Sequence, residues 1–218
     1  MGLDTAIGSL LAAFGLSASA GLNAWLPLFS SALLARLDVV ELASPFDELS
    51  STSGLLILFV LTFADFVGDK VPVVDHALHL IGTVVAPVAG ALLFTGQTGL
   101  ESDLPTVAAI VLGGATAGSI HTGRTVLRPV STATTGGLAN PLLSLGEDIG
   151  SVLLVLLAFA LPILAVLMVV AIVVAFLSAW HLCVANAVSA GRHAPRWRPA
   201  RRGLRRPDAR TPSRGRAA

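Results

Sequence analysis

The residues able to do chemistry stand in three short runs. The first, "ADFVGDKVPVVDHALH", carries Asp65, Asp69, Lys70, Asp75, His76 and His79. The second, "HTGRTVLRP", carries His121, Arg124 and Arg128. The third, "NPLLSLGEDIG", carries Glu147 and Asp148. On helices, Asp65 and Asp69 fall one turn apart, His76 shares a face with His79, and His121 shares one with Arg124. Carboxylates and imidazoles of this kind can bind a cation or carry a proton. They can also pair with the cations and hold helices in register. Acids outnumber permanent cations across the three runs, so ion pairing leaves acidic groups over.

The same residue types fit two other chemistries. Asp75, His76 and His79 form Asp-His-x-x-His, and such ligands suit zinc, manganese or iron. The spacing matches neither His-Glu-x-x-His nor the paired Glu-x-x-His of carboxylate-bridged sites, so the metal question stays open. Lys70, Arg124 and Arg128 could hold a phosphate or lipid headgroup, but the neighbouring acids oppose a dedicated anion pocket. No Walker loop, Gly-x-Ser-x-Gly or nucleotide-binding glycine pattern occurs, and no cofactor is expected.

The surroundings of these runs are apolar. Hydrophobic residues make up 54% of the 218 positions and charged residues 12%, about half the usual share for a soluble domain. A crossing of the bilayer core takes about 20 mostly apolar residues. Five blocks meet or approach that length, at roughly 5–35, 54–68, 76–94, 105–121 and 142–182. Ser17, Ser19, Gly21, Asn23 and Pro27 interrupt the first, which reads as one long or broken helix. The last is twice the needed length and must fold back, with Pro162 the natural place. The expected fold is an all-α polytopic membrane bundle of about six transmembrane helices, with a broken or kinked first helix. Gly113, Gly114, Ala117 and Gly118, like Ser17 and Gly21, give small faces for close helix packing or for a homo-oligomer contact.

Charge then orients the bundle. Lys70, Arg124, Arg128 and a tail with ten Arg fall on one side of six crossings, while the loops at 36–53 and 95–104 are acidic. The positive-inside rule makes the basic side cytoplasmic, with both termini there, in a bacterial plasma membrane. Residues 1–190 are read as the transmembrane domain. Residues 191–218, rich in Arg and Pro, are read as a disordered cytoplasmic tail able to touch anionic lipid. Nucleic-acid binding is not expected, because any cytoplasmic juxtamembrane end has this composition. The lack of basic residues at the start argues against a cleaved signal peptide. The single Cys183 excludes an intramolecular disulfide.

Over roughly residues 5–180 the sequence resembles an uncharacterised family of bacterial multi-pass membrane proteins, domain of unknown function 4126. The resemblance rests on "GLNAWLPLF", "DFVGDKVPVVDH" and "NPLLSLGEDIG". It implies an acid four residues before Asp-Lys-x-Pro, here Asp65, and a Ser-x-x-Glu-Asp run, here Ser144, Glu147 and Asp148. It also implies Arg before the third-helix proline, where this chain has Ala86, and Lys where it has Arg124. The resemblance implies a membrane body and these motifs, and it carries no activity.

Three functional readings follow. The first is a small transporter or channel-like protein for a cation or proton-coupled solute. The second is a non-catalytic scaffold or accessory protein held together by the same charges. The third, a membrane-embedded enzyme acting on lipid, ranks below both. A water-accessible opening at the cluster would favour the first, and a dry, fully paired cluster the second.

Overall fold

A computed structural model describes residues 3–43, 46–68, 72–98, 105–136 and 138–193. The described residues are helical, with no strand. The α-helices are α1 (Leu3–Leu22), α2 (Trp25–Arg36), α3 (Thr52–Gly68), α4 (Pro72–Thr98), α5 (Thr106–Thr135), α6 (Asn140–Ala160) and α7 (Pro162–His193), with one 3-10 turn at Phe46–Ser50. Three segments are long and apolar enough to cross a membrane: Ala77–Thr98, Asn140–Ala160 and Pro162–Leu182. Shorter apolar stretches occupy Ala6–Leu22 and Thr52–Gly68. The protein is a helical membrane bundle. The long last block breaks where expected: α6 ends at Ala160, and Pro162 opens α7.

The bundle is built inside out relative to a soluble protein. Large apolar side chains such as Phe59, Phe63, Val84, Val111, Ile163 and Leu167 face outward. The interior holds Ala, Gly and Ser, chiefly from α1, where every residue from Gly15 to Asn23 is buried. Lipid tails are as apolar as these outward side chains, so burying them gains little, and association relies on close packing and hydrogen bonds. Both are present. The Ser17 hydroxyl donates to the Gly90 carbonyl at 2.9 Å, and the Ser151 hydroxyl to the Ser19 carbonyl at 3.2 Å. Gly21 lies so near α5 that a Cβ there would stand 2.6 Å from the Ala117 carbonyl oxygen. The small faces at Ser17, Gly21, Gly113 and Ala117 are therefore used within the bundle.

α1 is the central helix and packs against α4, α5, α6 and α7. Its contacts fix its direction. Phe14 meets Phe94 near the C-terminal end of α4, Ser17 meets Gly90, and Gly21 meets Ile120 of α5. On α6, Gly15 lies near Ala158, Ser19 meets Ser151, and Leu22 approaches Gly150. α1 thus runs antiparallel to α4 and α6 and parallel to α5. At Asn23 and Ala24 the helix breaks and the chain turns back. α2 leads away from that point, and Ala43 then donates its backbone N–H to Gly96, back near the level of Phe94. The first block is broken, as expected, but its two arms run in opposite directions. With 12 residues, α2 is about 18 Å long, well short of the hydrocarbon core.

This reversal gives the first block a return arm, and the ends of the described chain lie differently from the expected arrangement. A single crossing by the first block would leave both termini on one side. The contacts put the start of α1 and the end of α7 at opposite ends of the bundle. Reporters fused before α1 and after α7 are expected to read opposite sides of the membrane. The same side for both would contradict the reversal at Asn23.

The domain boundary expected at residue 190 falls within α7, which runs to His193. The rest of the basic tail lies outside the described residues.

Candidate functional site

A helix that breaks inside a bundle leaves backbone groups without partners, and in lipid they must be satisfied locally. Asn23 does most of this. Its side-chain oxygen accepts the N–H groups of Trp25 and Leu26, each at 3.1 Å, which closes the start of α2. Its amide nitrogen donates to Asp65 of α3 at 3.0 Å and to Asp148 of α6 at 2.8 Å. Arg124 of α5 donates through Nη1 to the Leu22 carbonyl at the end of α1, where a cation also suits the helix dipole. One break thus collects α3, α5 and α6.

Beside it lies a second knot. Glu147 Oε2 is 2.7 Å from Arg124 Nε and 2.9 Å from Arg128 Nη2. The Arg128 contact is a hydrogen bond, while the Arg124 Nε contact is an ion pair without hydrogen-bond alignment. Both arginines are buried. They lie one turn apart inside α5, which continues beyond the apolar block to Thr135 and ends on Gly136 at φ 64, a left-handed cap. The three charged runs therefore meet. Asp65 from the first reaches Asp148 of the third through Asn23, and both arginines of the second reach Glu147.

Asp65 and Asp148 share one amide nitrogen. Their bonded oxygens cannot be farther apart than those two hydrogen bonds laid end to end. The pair is reached from two openings. The first is a narrow cleft of about 30 Å³, bordered by Asp65, His79, Gly82, His121, Arg124 and Trp25. One water needs roughly 10–15 Å³ by this measure, so the cleft takes very few. The His79 and His121 rings face each other with centroids 6.0 Å apart. His121 is buried, and among the described residues its Nε2 has no hydrogen-bond partner. Gly82 makes its space: a Cβ there would lie 2.7 Å from His121 Cε1. The second opening is an apolar groove of about 170 Å³ between α2 and α3. Phe29, Phe59, Phe63 and Phe66 border it, together with Asn23 and Asp148.

Of the sequence candidates, Asp65, His79, His121 and Arg124 border one cleft, while Arg128, Glu147 and Asp148 stand next to it. His79 meets His121 across α4 and α5, a pairing the runs did not indicate. Asp69 and Lys70 lie outside the described residues, and for Asp75 and His76 only the helical backbone is described. Among the described residues no three His, Cys, Asp or Glu converge as metal ligands. Sequence reasoning passed over Asn23 as a hub, treating it only as an interruption of the first helix. Gly21-Leu22-Asn23 before Pro27 was the available signal. The four phenylalanines had no signal of their own.

Fold and site together define a helical membrane protein with a polar junction built on an interrupted helix. The chain belongs to the family described as domain of unknown function (DUF4126), whose model matches residues 10–181. That span contains every residue of the junction. No curated protein and no solved structure matches it.

Proposed function

We propose that the protein is a small transporter or channel-like protein in which Asp65 and Asp148 take up a proton or a cation. The observation that carries this reading is the pair of carboxylates fastened to one amide at a helix break. Like charges this close repel, and a shared proton or cation relieves the repulsion. Ionisable groups inside a bundle can mark ion paths and proton relays, and interrupted helices supply binding sites in many transporters. The cleft lined by His79 and His121 gives the pair a polar approach.

The membrane is proposed to be a bacterial plasma membrane. The junction end of the bundle then faces the cytoplasm together with the arginine-rich tail, by the positive-inside rule. The tail would meet anionic lipid there. The start of α1 would face the other side. Homo-oligomer formation remains part of the proposal, through a surface other than the small-residue faces.

A scaffold role is the second reading. It is favoured by the closed Arg124–Glu147–Arg128 knot, which needs no ligand to be complete. Asp65→Asn separates the two. If Asp65 serves only as a structural anion, its loss should destabilise the protein by about 3–5 kcal/mol, as when one member of a buried pair is removed. If it takes up an ion, the variant should melt at the wild-type temperature or above, and the stabilisation of wild type by protons or cations should vanish. The second outcome is expected. A large fall in melting temperature, with no response of the wild type to pH or cations, would leave the scaffold.

A further inference from the structure

We propose that the cleft beside Gly82 holds one or two ordered waters anchored on Nε2 of His121, and that His121 passes protons through them to Asp65. The inference rests on the proton uptake of the proposed function and names the path by which the proton arrives.

His121 carries the argument. Its side chain is only 4% exposed, yet it borders the cleft. The ring hydrogen-bonds the backbone carbonyl of His79. Nε2 has no partner among the described residues, so Nδ1 makes that bond and carries a proton. Nε2 then presents a lone pair in a buried place. Such an acceptor is costly to leave unanswered, and native structures answer it with a side chain or an ordered water. Gly82 of α4 keeps the space open. A Cβ there would lie 3.3 Å from Nε2 and 2.7 Å from Cε1, crowding the edge of the ring that needs the partner.

Size and charge select the occupant. The cleft's volume of about 30 Å³ takes about two waters. A buried water needs two to four polar partners, and His79, His121, Asp65 and Arg124 border the same space. Arg124 repels a metal ion or an ammonium, and Asp65 repels an anion. A neutral molecule that both donates and accepts suits the two together.

The relay is then a simple exchange. Nε2 takes a proton from a water at the mouth of the cleft, and the ring becomes an imidazolium. It returns a proton from Nε2 through the inner water to the Asp65 carboxylate, which becomes the neutral acid. The imidazole is restored with Nδ1 still bonded to His79. The ionisable groups around the ring are His79 of α4, Asp65 of α3, and Arg124 and Arg128 of α5, with both arginines held by Glu147 of α6.

Two measurements on the full-length protein test this. The first is nitrogen NMR of histidine-labelled protein in nanodiscs, with the His121 signals identified by their loss in His121→Phe. Nδ1 should be protonated, and Nε2 should be unprotonated and in magnetisation contact with water. The second is proton flux in proteoliposomes. Gly82→Ala removes no polar group and should melt near wild type, but it should lose the water contact and at least ten-fold of the flux. His121→Phe should lose as much. His121→Gln keeps an acceptor but cannot carry the proton, and should be as slow as His121→Phe. A dry Nε2 in the wild type, or full flux in Gly82→Ala or His121→Gln, would overturn the inference. If the wild type still conducts in that case, the proposed function stands without it. A wild type that holds the water but moves no ion would overturn the relay and the proposed function together.

Discussion

Arg124→Leu is expected to lose about 3–5 kcal/mol of stability, the cost of breaking a buried charge pair from one side. Two groups lose a partner at once. Glu147 loses one of the two arginines that hold it, and the Leu22 carbonyl at the end of α1 loses the guanidinium that covers it. Native proteins hold only about 5–15 kcal/mol in total, so the variant should be recovered poorly and melt far below wild type. Arg124→Lys should fall between. An ammonium is a point charge and cannot satisfy the carbonyl and the carboxylate as the forked guanidinium does. Thermal unfolding in one detergent checks all three proteins. Near-equal melting of wild type and Arg124→Leu would mean that the arginine does not hold the break.

Asn23→Leu should be nearly as damaging, by a different route. The side chain makes four hydrogen bonds: two cap α2, and two hold acids on different helices. A lost cap costs about 1 kcal/mol, and each lost hydrogen bond to a charged group about 1.5–3 kcal/mol, so a total of at least about 3 kcal/mol is expected. Asn23→Asp keeps the cap acceptor but sets a third carboxylate against the other two. It should be as unstable as Asn23→Leu in mildly alkaline buffer and recover as the medium is acidified and the carboxyls take up protons. Melting curves of both variants across pH test this. If acid helps the leucine variant as much as the aspartate variant, the shared amide is not what separates the two acids.

The parts legible in the sequence were those written in composition and spacing. Hydropathy marked the apolar blocks, and Pro162 marked the fold-back, because proline cannot continue the ladder of α6. The charged runs were recognisable as one cluster because each such group inside a bundle needs company. The reversal at Asn23 was not legible. Apolar residues continue on both sides of it, and hydropathy does not register direction. An asparagine in a helix and an asparagine closing a turn look the same until its partners are known. The partition of the acids was hidden for a related reason. Glu147 and Asp148 are adjacent, so they point about 100° apart on α6, one toward the arginines and one toward Asn23. Nothing in "GED" says which goes where. The phenylalanines at 59, 63 and 66 recur at helical spacing, as any lipid-facing stripe does, and only the position of α2 turns that stripe into a wall.

The central claim is that the acids joined by Asn23 carry an ion. Flux in proteoliposomes tests it most directly. Vesicles holding a pH-sensitive dye receive an imposed proton gradient, with sodium or potassium on the opposite side, and its decay is followed. Wild type should dissipate the gradient well above protein-free vesicles with at least one of these ions, while Asp65→Asn and Asp148→Asn, inserted to the same extent, should fall at least ten-fold toward the empty-vesicle rate. Wild-type vesicles no leakier than empty ones under every condition, or an Asp65→Asn protein as active as wild type, would contradict the account.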